Sequence, residues 1–390
     1  MTSLRNVWLL NFSTFFFFLG TSVVTPVVSP FLVSLNAEPF LVGLVAGVTS
    51  FLSLISKPIG GAVGDKGYRF HALVGGNLLG VLAGVLYVLS ALTSNVYLFA
   101  FARAIHGFSM GIFFPSSLST AVDLAPVGRV GETLGWRGMM FSLGNIIGPA
   151  IGGYASDLIG FSGAFALTAV FSIVGALLAL IAWREVGDIT VQREEHEKAS
   201  YRELLRVTFV SASLTLFLFA MSYAGVTTYL PALYKSLSLE QRPFGYYMMV
   251  IGTFSFMTRL IGGRSADRRG PLPVTTLGLV LLLIGYLLLN VYTLPPYAYV
   301  SAAFIGAGFG LAVPAMQLMA LGNLPRRIRT MGSGIYTMFF DLGTLAGQVV
   351  LGYVAQVRDY WGVFPVLPLI LGGGFITLYA PVVWGKFNAR

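Results

Sequence analysis

Three side chains in this sequence could handle a proton or an ion where water is scarce: Arg103, His106 and Asp341. Each is embedded in a long apolar run. An ionised carboxylate in such surroundings costs about 3 kcal/mol unless it is paired or wet. Desolvation disfavours the charged form, so Asp341 is a candidate proton site, the alternative being an acid neutralised by a structural partner. Arg103 and His106 are three residues apart, which on a helix puts them on one face, and histidine titrates near neutral pH. Three uses remain open for the pair: part of a proton path, a clamp for an anionic substrate, or a hydrogen-bonding histidine in a packed interface.

The elements that carry these residues follow from composition. Of 390 residues, 10% are charged and 56% hydrophobic, and mean hydropathy is +0.81. A soluble chain would hold about a quarter charged residues, so lipid is the solvent for most of this one. Stretches of about 20 apolar residues span a bilayer as helices, which satisfy their own backbone groups. Twelve such spans are expected near 6–34, 40–63, 70–93, 96–121, 135–157, 161–183, 207–233, 243–263, 272–292, 296–320, 330–355 and 361–384. The runs do not alternate apolar and polar, as a membrane barrel would. Asp341 then lies about ten residues into span 11, near the bilayer centre.

The net charge of +9 could suggest nucleic acid, but its distribution points elsewhere. With both termini in the cytoplasm, eighteen of the 24 Lys and Arg fall on that side, Arg137 counted among them. Three fall in outer loops (Lys235, Arg242, Arg358) and three inside spans (Lys57, Arg103, Arg259). That asymmetry is the positive-inside pattern, so no nucleic-acid partner is implied. Zero cysteines exclude disulfides and thiol chemistry, and three scattered histidines offer no metal spacing. The Phe-rich start continues to about Leu35, too long for a signal peptide, and is read as a retained first span.

The long polar stretch at 185–206 divides the chain into halves at 1–184 and 207–390, with the stretch as a cytoplasmic linker. Shifting one half on the other by about 199 to 202 positions aligns Gly107, Gly111 and Pro115 with Gly306, Gly310 and Pro314. It also aligns Gly144, Gly148 and Gly153 with Gly343, Gly347 and Gly352. Lys57-Pro-Ile-Gly60-Gly61 matches Arg259-Leu-Ile-Gly262-Gly263. Repetition of residues that set backbone approach indicates duplication. Six helices return the chain to its starting side, so the halves are parallel repeats about an axis along the membrane normal. Lys57 and Arg259 occupy equivalent positions, and that symmetry favours snorkelling cations over a substrate site. Arg103 and Asp341 have Ala302 and Ser142 as their counterparts, so there the symmetry breaks.

With these residues in place the whole chain resembles a member of the major facilitator superfamily: an all-α integral membrane protein, two pseudo-symmetric six-helix bundles around a central cleft. Gly61, Asp65, Lys66 and Arg69 in one half, and Gly263, Asp267 and Arg268 in the other, resemble that superfamily's loop signature, which the resemblance makes a gate. Arg103-Ala-Ile-His106-Gly107 is similar to the fourth-helix signature of proton-coupled members, with His106 in place of a glutamine. Gly144, Gly148, Pro149, Gly152 and Gly153 resemble the fifth-helix signature of drug/proton antiporters. Family likeness puts spans 1, 4, 7 and 10 around the cleft, making Phe17, Thr21, Tyr223, Thr227, Met316 and Gln317 substrate candidates.

The resemblance implies a secondary transporter working by alternating access, most simply a proton-coupled exporter of a small hydrophobic compound, with Asp341, Arg103 and His106 in the proton path. The alternative is a carrier of a small organic anion or sugar; a sensor or scaffold without flux is the third reading. No nucleophile, phosphate loop or metal cluster suggests an enzyme, and no cofactor is implied. The expected partners are a small-molecule substrate, protons and the lipid bilayer. The expected setting is the cell membrane, with the protein a monomer.

Overall fold

The structure, a computed structural model, describes residues 4–126, 129–187, 206–322, 324 and 326–388, with side chains at all of these except 65, 131, 326–331 and 381–388. Most of the polar stretch at 185–206 therefore lies outside the described residues.

The chain is a succession of helices: α1 (Leu4–Val23), α2 (Val28–Ser34), α3 (Pro39–Asp65), α4 (Arg69–Thr93), α5 (Val96–Asp123), α6 (Val130–Val186), α7 (Val207–Ser236), α8 (Arg242–Arg269), α9 (Pro271–Val291), α10 (Ala298–Leu321), α11 (Arg326–Arg358) and α12 (Val366–Asn388). A short 3₁₀ turn, Tyr360–Val363, precedes the last. Ten helices among the described residues are long and apolar enough to cross a membrane. One departure from the expected spans has a local cause. The first span is interrupted at 24–27 by turns around Pro26, which has no N–H to continue the helical ladder. The fifth and sixth expected spans, 135–157 and 161–183, are both present: α6 is two helices that meet, with no separate loop, at Gly160, whose φ of 73° and ψ of 177° are not helical. A side chain there would clash with its own backbone, whereas glycine takes positive φ freely. Counting α6 twice, and adding the 28-residue α8, whose charges depress its hydropathy, gives the expected twelve crossings.

Two compact units form: Met1–Gln192 with Pro231–Met249, and Arg193–Leu230 with Val250–Arg390. In the first, α1 packs along α6, while α5 is flanked by α3 and α4. Its apolar core has two parts, one around Phe31, Tyr87, Phe99 and Phe165, the other around Phe17, Phe18, Phe70 and Phe113. In the second unit α9 lies between α10 and α12.

The repeated glycines reproduce the same contacts in each unit. A Cβ at Gly60 would sit 2.5 Å from the Gly111 oxygen, joining α3 to α5, and a Cβ at Gly262 would sit 2.9 Å from the Gly310 oxygen, joining α8 to α10. Gly144 faces the α1 backbone at Phe15 and Leu19, and Gly343 faces the α7 backbone at Phe217. Small residues let backbones approach in lipid, where packing rather than water exclusion drives helix association.

Candidate functional site

In the first unit, the fully buried Tyr87 of α4 sets its hydroxyl 3.0 Å from Nδ1 of His106 on α5 (2% exposed). The other ring nitrogen, Nε2, lies 3.4 Å from Thr21 Oγ1 on α1. Both ring nitrogens thus face hydroxyls, each of which can donate or accept. Arg103, one turn earlier on α5, is half-buried; its Nη2 donates to the Ala46 oxygen of α3 at 2.8 Å, and Thr49 Oγ1 donates to the Arg103 oxygen at 2.9 Å. Arg103 and Thr49 also flank the Tyr87 hydroxyl. Thus Thr21, Thr49, Tyr87, Arg103 and His106 meet in one polar core spanning four helices. Tyr87 is absent from the sequence-based candidates: a tyrosine in an apolar span gives no sign of its partner.

The second unit repeats this arrangement without the charges. The counterpart of Tyr87 is Tyr286, whose hydroxyl meets Ser222 Oγ at 3.1 Å, since the counterpart of His106 is Ile305. Asp341 sits at the midpoint of α11, half-buried, two residues before the Gly343 contact with α7. Tyr223 joins Phe219 and Phe309 in an aromatic cluster with ring centroids 5.1 to 6.3 Å apart. Thr227 turns its hydroxyl back to the α7 backbone at Tyr223 and Ala224. Gln317 is exposed on α10. Two other cleft candidates are packed away: Met316 is fully buried, and Phe17 stacks on Phe113 at 3.8 Å between centroids inside the first unit's core. A phenylalanine in a membrane helix can turn to lipid, to a neighbour or to water, and residue type alone does not choose.

Of the first gate signature, Gly61 faces open space and Lys66 is exposed, while the Asp65 side chain lies outside the described residues. Arg69 is buried. It forms an ion pair with Asp123 at the C-terminus of α5, and donates to the oxygens of Gly64 and Ser119 at 3.3 Å each. A cation there also meets the negative ends of two helices. Asp123 is the partner that sequence reasoning missed; its signal is a lone acid closing an apolar span. In the second copy Asp267 and Arg268 are exposed, and Asp267 borders a recess of about 550 Å³ with Thr208, Pro271, Leu318 and Leu378.

The α6 motif works on two sides. Gly144, Gly148 and Gly152 lie on the α1 backbone between Phe15 and Val23, and Ser22 Oγ donates to Asn145 Oδ1 at 2.8 Å. Gly153 lies on the backbone of Gln241 and Arg242, and the Pro149 oxygen would come 2.5 Å from a Cβ at Gly245. One turn on, Asp157 accepts the backbone N–H groups of Gln241 and Arg242 at 2.8 Å each, which caps the N-terminus of α8. Arg242 Nε adds an ion pair at 3.4 Å.

One basic residue is not where its count by connectors would put it. Arg137 lies inside α6, 4% exposed, with Nη2 donating to Ser117 Oγ at 2.6 Å and its guanidinium 4.8 Å from the Phe114 ring centroid. Lys57 of α3 is half-buried, with Nζ 5.9 Å from the centroid of the same ring.

Comparison with known proteins agrees with this architecture. The family model described as Major Facilitator Superfamily matches residues 10–348. The chain is 22% identical over 362 residues to an uncharacterized MFS-type transporter of Methanocaldococcus jannaschii, covering 90% of this chain and 92% of that protein. It is 23% identical to a multi-drug resistance efflux pump PmrA homolog of Lactococcus lactis, covering 99% and 95%. Among solved structures, a bacterial homolog of the human lysosomal transporter Spinster, in an inward-facing and occupied conformation, superposes with a TM-score of 0.75 at 15% identity, over 97% of this chain and 93% of that one. On twelve apolar crossings, two repeated six-helix sets and a family model spanning most of its length, the chain belongs to the Major Facilitator Superfamily.

Proposed function

We propose that this membrane transporter exports a small, partly hydrophobic compound by alternating access in exchange for protons. The observation that carries the reading is the α6 motif, whose glycines seat this helix on the α1 backbone and, one turn on, against the start of α8. An element with close-packed contacts on two sides can transmit a rigid-body movement rather than absorb it. The efflux pump among the relatives supports export as the direction. In this reading Asp341, a carboxylate at the middle of a span, carries the proton. The core of Tyr87, His106 and Arg103 tunes it from the other repeat, and the two gate signatures lock one access state. The protein sits in the cell membrane with both termini in the cytoplasm, where its basic connectors belong, and acts as a monomer.

The test is proton movement in liposomes carrying the protein and a pH-sensitive dye, challenged in turn with lipophilic cations, aromatic anions and sugars. One of these classes should drive a proton flux in the wild type, and Asp341→Asn should abolish it while leaving substrate binding intact. Substrate crossing equally in both proteins with no proton movement would make Asp341 structural and the protein a facilitator.

A further inference from the structure

Arg137 is used by none of the roles above. It lies seven residues past the start of α6, about 10 Å along the helix axis at 1.5 Å per residue. Its guanidinium is buried, yet its hydrogen bonds are sparse: Ser117 Oγ at 2.6 Å and the Phe114 oxygen at 3.5 Å, with Nε left without a partner. Among the described residues no carboxylate pairs with it. Its remaining neighbours are aromatic faces, Phe114 at 4.8 Å and Phe18 at 6.0 Å. Phe141 closes the group, 4.5 Å from Phe18 and 6.1 Å from Phe114 between centroids. A second cation, Lys57, faces the ring of Phe114 as well.

A buried guanidinium without a carboxylate partner is costly, and cation–π attraction offsets only part of that cost. A planar guanidinium fork suits a carboxylate or sulfonate, which it can hold through two parallel hydrogen bonds. Arg103, whose Nε is likewise without a partner, is the weaker candidate for that task, since its Nη2 is held at 2.8 Å by the Ala46 oxygen and no aromatic ring faces its guanidinium among the described residues.

We propose that Arg137, with Lys57 across Phe114, binds the acidic group of an aromatic organic anion, whose ring lies against Phe18, Phe114 and Phe141. This rests on the transporter reading and gives its substrate a chemical class. The anion supplies the carboxylate that Arg137 lacks among the described residues, in a cluster drawn from α1, α3, α5 and α6. The phenylalanines supply the apolar wall that would hold the rest of the molecule.

The test uses three probes of one shape and different charge on the purified full-length protein: 1-naphthoate, neutral 1-naphthamide and cationic 1-naphthylmethylammonium. Binding is read by thermal shift and tryptophan fluorescence. Naphthoate should bind saturably and raise the melting temperature, with the amide and the ammonium at least tenfold weaker. Arg137→Gln should weaken naphthoate at least tenfold, Arg137→Lys less, and Lys57→Gln at least threefold. Equal binding of naphthoate and its amide, or unchanged naphthoate affinity in folded Arg137→Gln, overturns the proposal. If Arg137→Gln does not fold, unchanged affinity in both Arg137→Lys and Lys57→Gln overturns it instead. Flux assays on the same preparations separate the two readings. Proton-coupled movement of the cation without any naphthoate binding refutes the anion site alone; charge-selective naphthoate binding with no flux of any probe refutes transport alone.

Discussion

At the residue scale, the polar core of the first unit depends on Tyr87. Its hydroxyl is the near partner of His106 Nδ1, 3.0 Å away, with Thr21 more distant on the other nitrogen at 3.4 Å. Removing one member of a buried pair leaves the other unsatisfied, at a cost of about 1–3 kcal/mol. Tyr87→Phe should therefore lower the melting temperature of the purified protein by about 2 °C or more. Tyr286→Phe should cost less, because Ser222 keeps its bond to the Phe219 oxygen at 2.8 Å. Equal melting of Tyr87→Phe and wild type would mean that His106 is held by other groups. The Arg69 and Asp123 pair differs in kind: it ties helix ends together at the gate signature rather than filling a core.

At the scale of elements, α6 is the hub of the first unit, since it carries two crossings, the glycine face on α1 and the cap on α8. Asp157 offers both carboxylate oxygens to Gln241 and Arg242, while its charge meets the positive end of the α8 dipole. Replacing a capping acid by alanine costs about 0.5–2 kcal/mol. Asp157→Ala should accordingly speed hydrogen exchange at the Gln241 and Arg242 amides by about tenfold, with Asp157→Asn in between. Unchanged exchange in both would show that the packing of Gly153 and Gly245 suffices to hold the start of α8.

At the scale of the whole molecule, the charge inside the spans is lopsided. Lys57, Arg103, Arg137 and Arg259 are cations within crossings, whereas Asp341 is the carboxylate at mid-span. A monoanion leaving as one proton enters moves two charges in the same electrical sense. Each is worth about 2.3 kcal/mol per 100 mV, so an interior-negative potential drives both. In liposomes loaded with naphthoate, an interior-negative potassium diffusion potential should speed naphthoate efflux over that at clamped zero potential. Efflux indifferent to the potential would mean electroneutral exchange or uncoupled movement.

The sequence by itself determined the crossings and the repeat. Hydropathy over about 20 residues is a local property, and glycines such as Gly60 with Gly262, or Gly144 with Gly343, reveal duplication because backbone approach tolerates no substitute. It also marked Arg103, His106 and Asp341 as unusual, since a charge in an apolar run is visible without knowing its neighbours. Only the tertiary structure decided where side chains face. In a lipid-embedded helix both the outer and the packed faces are apolar, so periodicity does not distinguish them. That is why Phe17 proved to be core, why Arg137 lies within a span rather than a connector, and why Tyr87, Asp123 and Asp157 gained roles that their residue types did not announce. The junction inside α6 has the same origin: its two helices meet at one residue at positive φ, and among many glycines the fold alone selected Gly160.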